Sequence, residues 1–129
     1  MFSHVVVGSN NLEVTKRFYD AVQRVLGHGE GQRRVTGDYV YRSGDAMFIV
    51  KRPIDGHAAS PANGGTIGFV CHSAEQVDLW HAAGLAHGGK SIEDPPGIRQ
   101  TDAGPLYLAY MRDPDGNKLC ALHRLPDQT

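Results

Sequence analysis

The chain repeats itself, and the repeat constrains the fold more than any local propensity does. Thr66 stands 62 positions after His4, and at that offset Glu13 falls on Glu75, Phe18 on Trp80 and Ala21 on Ala83. The closing segments keep a longer offset of 72, which lays Gly44 to Arg52 over Gly116 to Arg124 and puts ten additional residues into the stretch from 93 to 106. A unit of about 60 residues buries too little surface to be comfortable alone, so the two halves must pack on each other.

Each half reads as strand, helix and further strands. His4 to Gly8 is a buried strand, and Ser9, Asn10 and Asn11 are candidate helix caps. From Leu12 to Leu26 the apolar positions Leu12, Thr15, Phe18, Tyr19, Val22 and Leu26 recur at steps of three and four, and Gly27 ends the helix. Tyr39 to Arg42 and Ala46 to Lys51 follow as two strands around Ser43-Gly44-Asp45, with a weaker strand expected near Arg33 to Thr36. Proline, glycine and alanine between Arg52 and Gly65 mark a linker. The pattern restarts with Thr66 to Cys71, a capping box of Ser73 and Gln76, and a helix to about Ala86. A long loop is expected from Glu93 to Leu106, then strands at Tyr107 to Arg112 and Lys118 to Leu122 joined by Asp113-Pro114-Asp115-Gly116. The reading is a single α+β domain, with module 1 at about 1–51, a linker at 52–65 and module 2 at about 66–125.

Charge and composition narrow the function. The 129 residues carry a formal net charge of -1, and the basic residues are scattered without interleaved aromatics, which argues against a nucleic-acid partner. No apolar run approaches the roughly 20 residues that span a bilayer, and the N-terminus lacks signal-peptide features, so a cytoplasmic protein is expected. Cys71 and Cys120 sit in apolar runs as free thiols, and no zinc-type spacing of histidine or cysteine occurs.

Three segments carry a resemblance: His4-Val5-Val6-Val7 with Leu12 and Phe18-Tyr19, Gly65 to Phe69, and Asp113-Pro114-Asp115-Gly116-Asn117 before Lys118-Leu119-Cys120. Together they resemble the vicinal oxygen chelate superfamily of glyoxalases, bleomycin resistance proteins and extradiol dioxygenases. The resemblance implies two βαβββ modules whose mixed sheet curls into a cup with the helices outside. It also implies a homodimer and a small-molecule ligand.

Metal-dependent members of that family place a ligand on the first and on the last strand of each module. Carried onto this chain, those positions are His4, Phe48, Thr66 and Cys120, of which only His4 is a usual ligand. A cation that takes two substrate oxygens needs imidazole and carboxylate donors, so no metal cofactor is expected, and a divalent ion would be held at best weakly. The ligand-binding candidates are His4, Phe48, Thr66 and Cys120, with Tyr107 and Tyr110 as hydroxyl and stacking groups and Arg99 on the long loop for an anionic group. Val6, Gly8, Ala46, Val50, Gly68, Val70, Lys118 and Leu122 are expected to face inward beside them. Binding without the full metal site is the leading expectation. The alternatives are a glyoxalase-like lyase or other enzyme using His4 with a depleted metal site, and thiol chemistry at Cys120 with His4.

Overall fold

The computed structural model describes residues 1–126. The first half forms β1 (His4–Gly8), α1 (Leu12–Val25), β2 (Gln32–Arg33), β3 (Tyr39–Ser43) and β4 (Ala46–Lys51). The second forms β5 (Ile67–Val70), α2 (Ala74–Ala86), β6 (Lys90–Thr101), β7 (Gly104–Arg112) and β8 (Lys118–Arg124). Each half is a mixed four-stranded sheet of the same topology, ordered β1-β4-β3-β2 and β5-β8-β7-β6, with a parallel pair at the inner edge. The fold is α+β, as the repeat implies. Among the described residues the two sheets are not joined by a strand ladder, and β1 and β5 each keep a free edge.

Side chains at alternate positions sort the two faces of each sheet. Val5 and Val7 of β1, Tyr39 and Tyr41 of β3, and Phe48 and Val50 of β4 belong to a core shared with Phe18, Tyr19 and Val22 of α1 and with Val77 and Trp80 of α2. Ile67, Phe69, Ala109, Met111, Leu119 and Ala121 complete this core from the second sheet. Phe48 and Phe69 meet across the two halves with ring centroids 5.6 Å apart. Large side chains such as Phe18, Tyr19 and Trp80, all fully buried, contribute roughly 1.5–3 kcal/mol each through burial. A separate, smaller cluster of Leu106, Leu108 and Cys120, with Tyr110 and Leu122 against it, occupies the opposite face of the second sheet.

The helix ends follow the capping rules. Asn11 accepts from the Val14 N–H, and Ser73 accepts from the Gln76 N–H. The Gln76 carbonyl oxygen takes the N–H of His72, one residue earlier than a standard capping box, while its Nε2 donates to the Val25 carbonyl and ties α2 to the end of α1. Gly27 has φ 91°, and the His28 N–H reaches back to the Gln23 carbonyl at 2.9 Å, closing α1 with a left-handed glycine.

Three expectations are corrected here. The stretch from Glu93 to Leu106 is no loop: β6 runs from Lys90 to Thr101 and β7 begins at Gly104. Pro95 and Pro96 disguise it, because they remove ladder donors, and the structure absorbs them in a register shift between Ile92 and Gly97. The weak strand near Arg33 to Thr36 shrinks to Gln32–Arg33, because Arg34 turns back to bond Asp38. Val50 and Ala46 share the alternation of Phe48, so they do not lie on the face of His4.

Candidate functional site

Gln23, on the last turn of α1, and Leu26, its C-cap, border the gap between the two sheets. The cavity there has a volume of about 340 Å³ and opens at the seam between β1 and β5, so residues from both faces border it. Its walls are largely apolar: Val5, Leu26, Phe48, Ile67, Phe69 and Val70. The polar side chains on its border are His4, Gln23, His28, Tyr41, Arg42 and Ser43. A space of this size lies at the small end of the roughly 300–1,000 Å³ typical of ligand sites.

The polar groups are not equally available. The Tyr41 hydroxyl donates to Asp20 Oδ1 at 2.7 Å, and burial together with that bond holds its pKa well above the usual phenol value. His4 Nδ1 and the neighbouring Ser3 Oγ share a hydrogen bond of 2.7 Å at the exposed mouth. Gln23 differs from both, being 2 % exposed with an Nε2 that has no hydrogen-bond partner among the described residues. Sequence reasoning missed Gln23, although a signal was present. It lies four residues after Tyr19 and three before Leu26, so a carboxamide stands on the apolar stripe of α1.

The predicted site residues fall into separate environments. His4 and Phe48 both border the seam cavity. They lie on opposite faces of the first sheet, because His4 pairs with Met47 and Val5 pairs with Phe48. Phe48 is therefore a core residue at the cavity wall, and the placement of both on one face is corrected by one residue of register. Thr66 stands just before β5 and borders a different cleft with Gly8 and Lys118. Tyr107 points to the helix side, where its hydroxyl donates to Asp78 Oδ1 at 2.7 Å.

Cys120, Tyr110 and Arg99 come together on the face of the second sheet turned away from the helix-packed core. Tyr110 is the register partner of Cys120, and Arg99 that of Leu106. Lys118 lies over the Tyr110 ring, 4.8 Å from its centroid, and forms an ion pair with Glu93. Glu93 has φ 59°, a left-handed backbone for a non-glycine residue in the β6 irregularity. Arg99 donates to the carbonyls of Asp94 and Pro95, so its guanidinium pins that irregularity. Burial pushes the Cys120 thiol up to about 11, and Cys71 is raised to about 11 by the same cause.

This donor set does not fit the metal implied by the family. On the His4 face, β4 offers Met47 and Ile49, while the corresponding face of β8 offers Lys118, Cys120 and Leu122. None of these is a carboxylate. This holds whichever copy of the chain supplies the second half. Among the described residues no group of three or more histidine, cysteine, aspartate or glutamate side chains is placed to hold a metal ion. No helix among them is long and apolar enough to cross a membrane.

Comparison with known proteins agrees with this architecture. The model of the Glyoxalase/Bleomycin resistance protein/Dioxygenase superfamily matches residues 1–121. A crystal structure of a glyoxalase/bleomycin resistance protein from Albidiferax ferrireducens superposes with a TM-score of 0.92 at 54% identity, covering 95% of this chain and 98% of that one. A family enzyme from Burkholderia phytofirmans (18% identity, TM-score 0.72, 95% and 98% covered) shares the fold. So does a lactoylglutathione lyase from Agrobacterium tumefaciens (18%, 0.64, 95% and 92%). No curated protein matches the sequence. The chain belongs to the glyoxalase/bleomycin resistance protein/dioxygenase superfamily.

Proposed function

We propose that this protein binds a small, largely apolar molecule in the seam cavity between its two halves, without a family-type metal site. The observation that carries the reading is the pairing of an apolar, ligand-sized cavity with family ligand positions that hold no carboxylate. Catalysis through a metal-bound substrate needs charged donors that polarise oxygen, whereas sequestration needs shape and apolar area. Thiol chemistry has less support: Cys120 is buried, its thiol lies 3.6 Å from the Ala121 carbonyl, and the charged groups acting on it are Glu93, Lys118 and Arg99 rather than His4. A lyase using His4 alone would need a partner beyond Ser3 to make its imidazole an effective base.

The reading includes a homodimer in the cytoplasm. Free edges on β1 and β5 and the exposed Val6 and Val70 beside them support association, and two free cysteines suit a reducing compartment. A fragment screen by amide NMR in excess EDTA tests the binding claim. Saturable shifts in residues of the seam cavity are expected; binding or turnover that appears only on adding a divalent metal would contradict it.

A further inference from the structure

We infer that Arg42 and His4 make the mouth of the seam cavity selective for an anion, so that its ligand is an amphipathic acid with a compact apolar body inside and a carboxylate at the opening; this deepens the proposed binding function and rests on it. His4, Met47 and Arg42 form one row across β1, β4 and β3, since His4 pairs with Met47 and Met47 with Arg42. Side chains in such a row project from the same face of the sheet, and two strand spacings set His4 and Arg42 about 10 Å apart along it. All three residues border the cavity. Arg42 leans along the row, with Nη1 directed to the Met47 sulfur at 3.0 Å.

The charges on this border have one sign. Its ionisable side chains are His4, His28, Tyr41 and Arg42, and no aspartate or glutamate is among the described residues that line it. The Tyr41 hydroxyl is committed to Asp20, which also takes Lys16 and the Gly31 N–H. Lys16, Arg34 and Lys118 are each paired with a carboxylate, whereas Arg42 has no such ion pair among the described residues, not even with the exposed Asp45 of the adjoining turn. A guanidinium carries five N–H donors and a thioether is a weak acceptor, so the contact with Met47 leaves most of them for a ligand. The bond between His4 Nδ1 and Ser3 leaves Nε2 as the other ring nitrogen at the mouth.

Depth decides where the charge of the ligand can sit. Against Val5, Leu26, Ile67 and Phe69 a carboxylate would lose its hydration without a compensating partner. At the exposed row it keeps part of its water and gains Arg42, while an ammonium there meets like charge and no acid. The aromatic and branched walls take a ring or branched chain behind it.

The experiment titrates the protein in excess EDTA with phenylacetate, methyl phenylacetate and phenethylammonium, which present one ring with charges of opposite sign or none. Backbone amides of the cavity and the Arg42 Nε–H are followed by NMR. Phenylacetate is expected to bind about three- to tenfold more tightly than its ester at low salt, the scale of one partly solvated charge pair, and phenethylammonium most weakly. The preference should shrink as salt is raised, and the Arg42 Nε–H should shift on phenylacetate alone. Arg42→Gln should bring the ratio of acid to ester affinity to about one, and Arg42→Lys should restore part of it because the charge returns. If acid and ester bind equally, or the ammonium binds best, the anion selectivity is wrong although the cavity still binds. A preference that survives Arg42→Gln unchanged would overturn the assignment to Arg42. If none of the three perturbs the cavity residues, the selectivity and the underlying binding function fail together.

Discussion

The Tyr19 hydroxyl donates a 2.5 Å hydrogen bond to Oδ2 of Asp113, joining the middle of α1 in the first half to the closing turn of the second. Both residues are buried, and the Asp113 carboxylate also accepts from the N–H groups of Asp115 and Asn117 and from Asn117 Nδ2. Beside it Asp115 takes the Thr15 hydroxyl and the Asn10 N–H. The Asp-Pro-Asp-Gly-Asn turn thus does more than reverse the chain: it locks the two halves into the relative position that creates the seam cavity.

Removing that donor should loosen the whole molecule. Tyr19→Phe is expected to cost about 1.5–3 kcal/mol at neutral pH, because a buried carboxylate loses a partner. Burial raises the folded-state pKa of Asp113 above its ordinary value, so the group favours folding when protonated and its contribution falls as pH rises through the folded pKa. Without the Tyr19 donor the charged form is worse supported, so the loss in the variant should shrink toward acidic pH. Urea denaturation of both proteins at neutral and at mildly acidic pH measures this, and an equal loss at both would contradict it.

Asp38 should behave in the opposite sense. Arg34 grips it with two 2.8 Å bonds and Thr36 adds a third, holding its pKa down from 3.8 to about 2. A depressed carboxylate pKa contributes stability above the unfolded value and loses it as pH falls toward the folded one. The contribution is on the order of 1–2 kcal/mol once the half-exposed Arg34 side is discounted for solvent screening. Asp38→Asn should lose this amount at neutral pH and show a flatter stability profile in the acid range from 3.8 down to about 2.

The Cys120 thiol should be a poor nucleophile. With its pKa raised to about 11 by burial, alkylation at neutral pH in Cys71→Ala protein should run well below the rate of a free model thiol. Faster alkylation than the model, abolished by His4→Ala, would instead favour a Cys-His catalytic pair. Cys120→Ala should leave binding in the seam cavity intact, since Cys120 lies in the cluster on the other face.

Association should depend on the free inner edges. Val70 is 84 % exposed on β5, at the margin of the cavity. Light scattering at tens of micromolar is expected to give a dimer mass, and Val70→Lys to shift it toward monomer. A monomer in the parent protein would remove the dimer from the proposed function.

The repeat, both helices and the closing turn were legible because each rests on local rules: a 3.6-residue stripe, a cap, a glycine with positive φ. The extent of β6 was not, because Pro95-Pro96 reads as a break and only pairing with β7 shows that the strand resumes. The facing of Phe48 was ambiguous for a different reason. Met47-Phe48-Ile49-Val50 is apolar throughout, so alternation along it carries no phase until β1 sets the register. Gln23 was visible as a polar residue on an apolar stripe, yet whether such a residue bonds within the core or borders a cavity depends on packing between distant segments.

Elemental analysis of protein purified without an affinity tag tests the metal-free account most directly. The account predicts zinc, nickel, iron and manganese well below one ion per chain, because His4 stands without carboxylate donors on its face. Close to one ion per chain, released by His4→Ala, would contradict it.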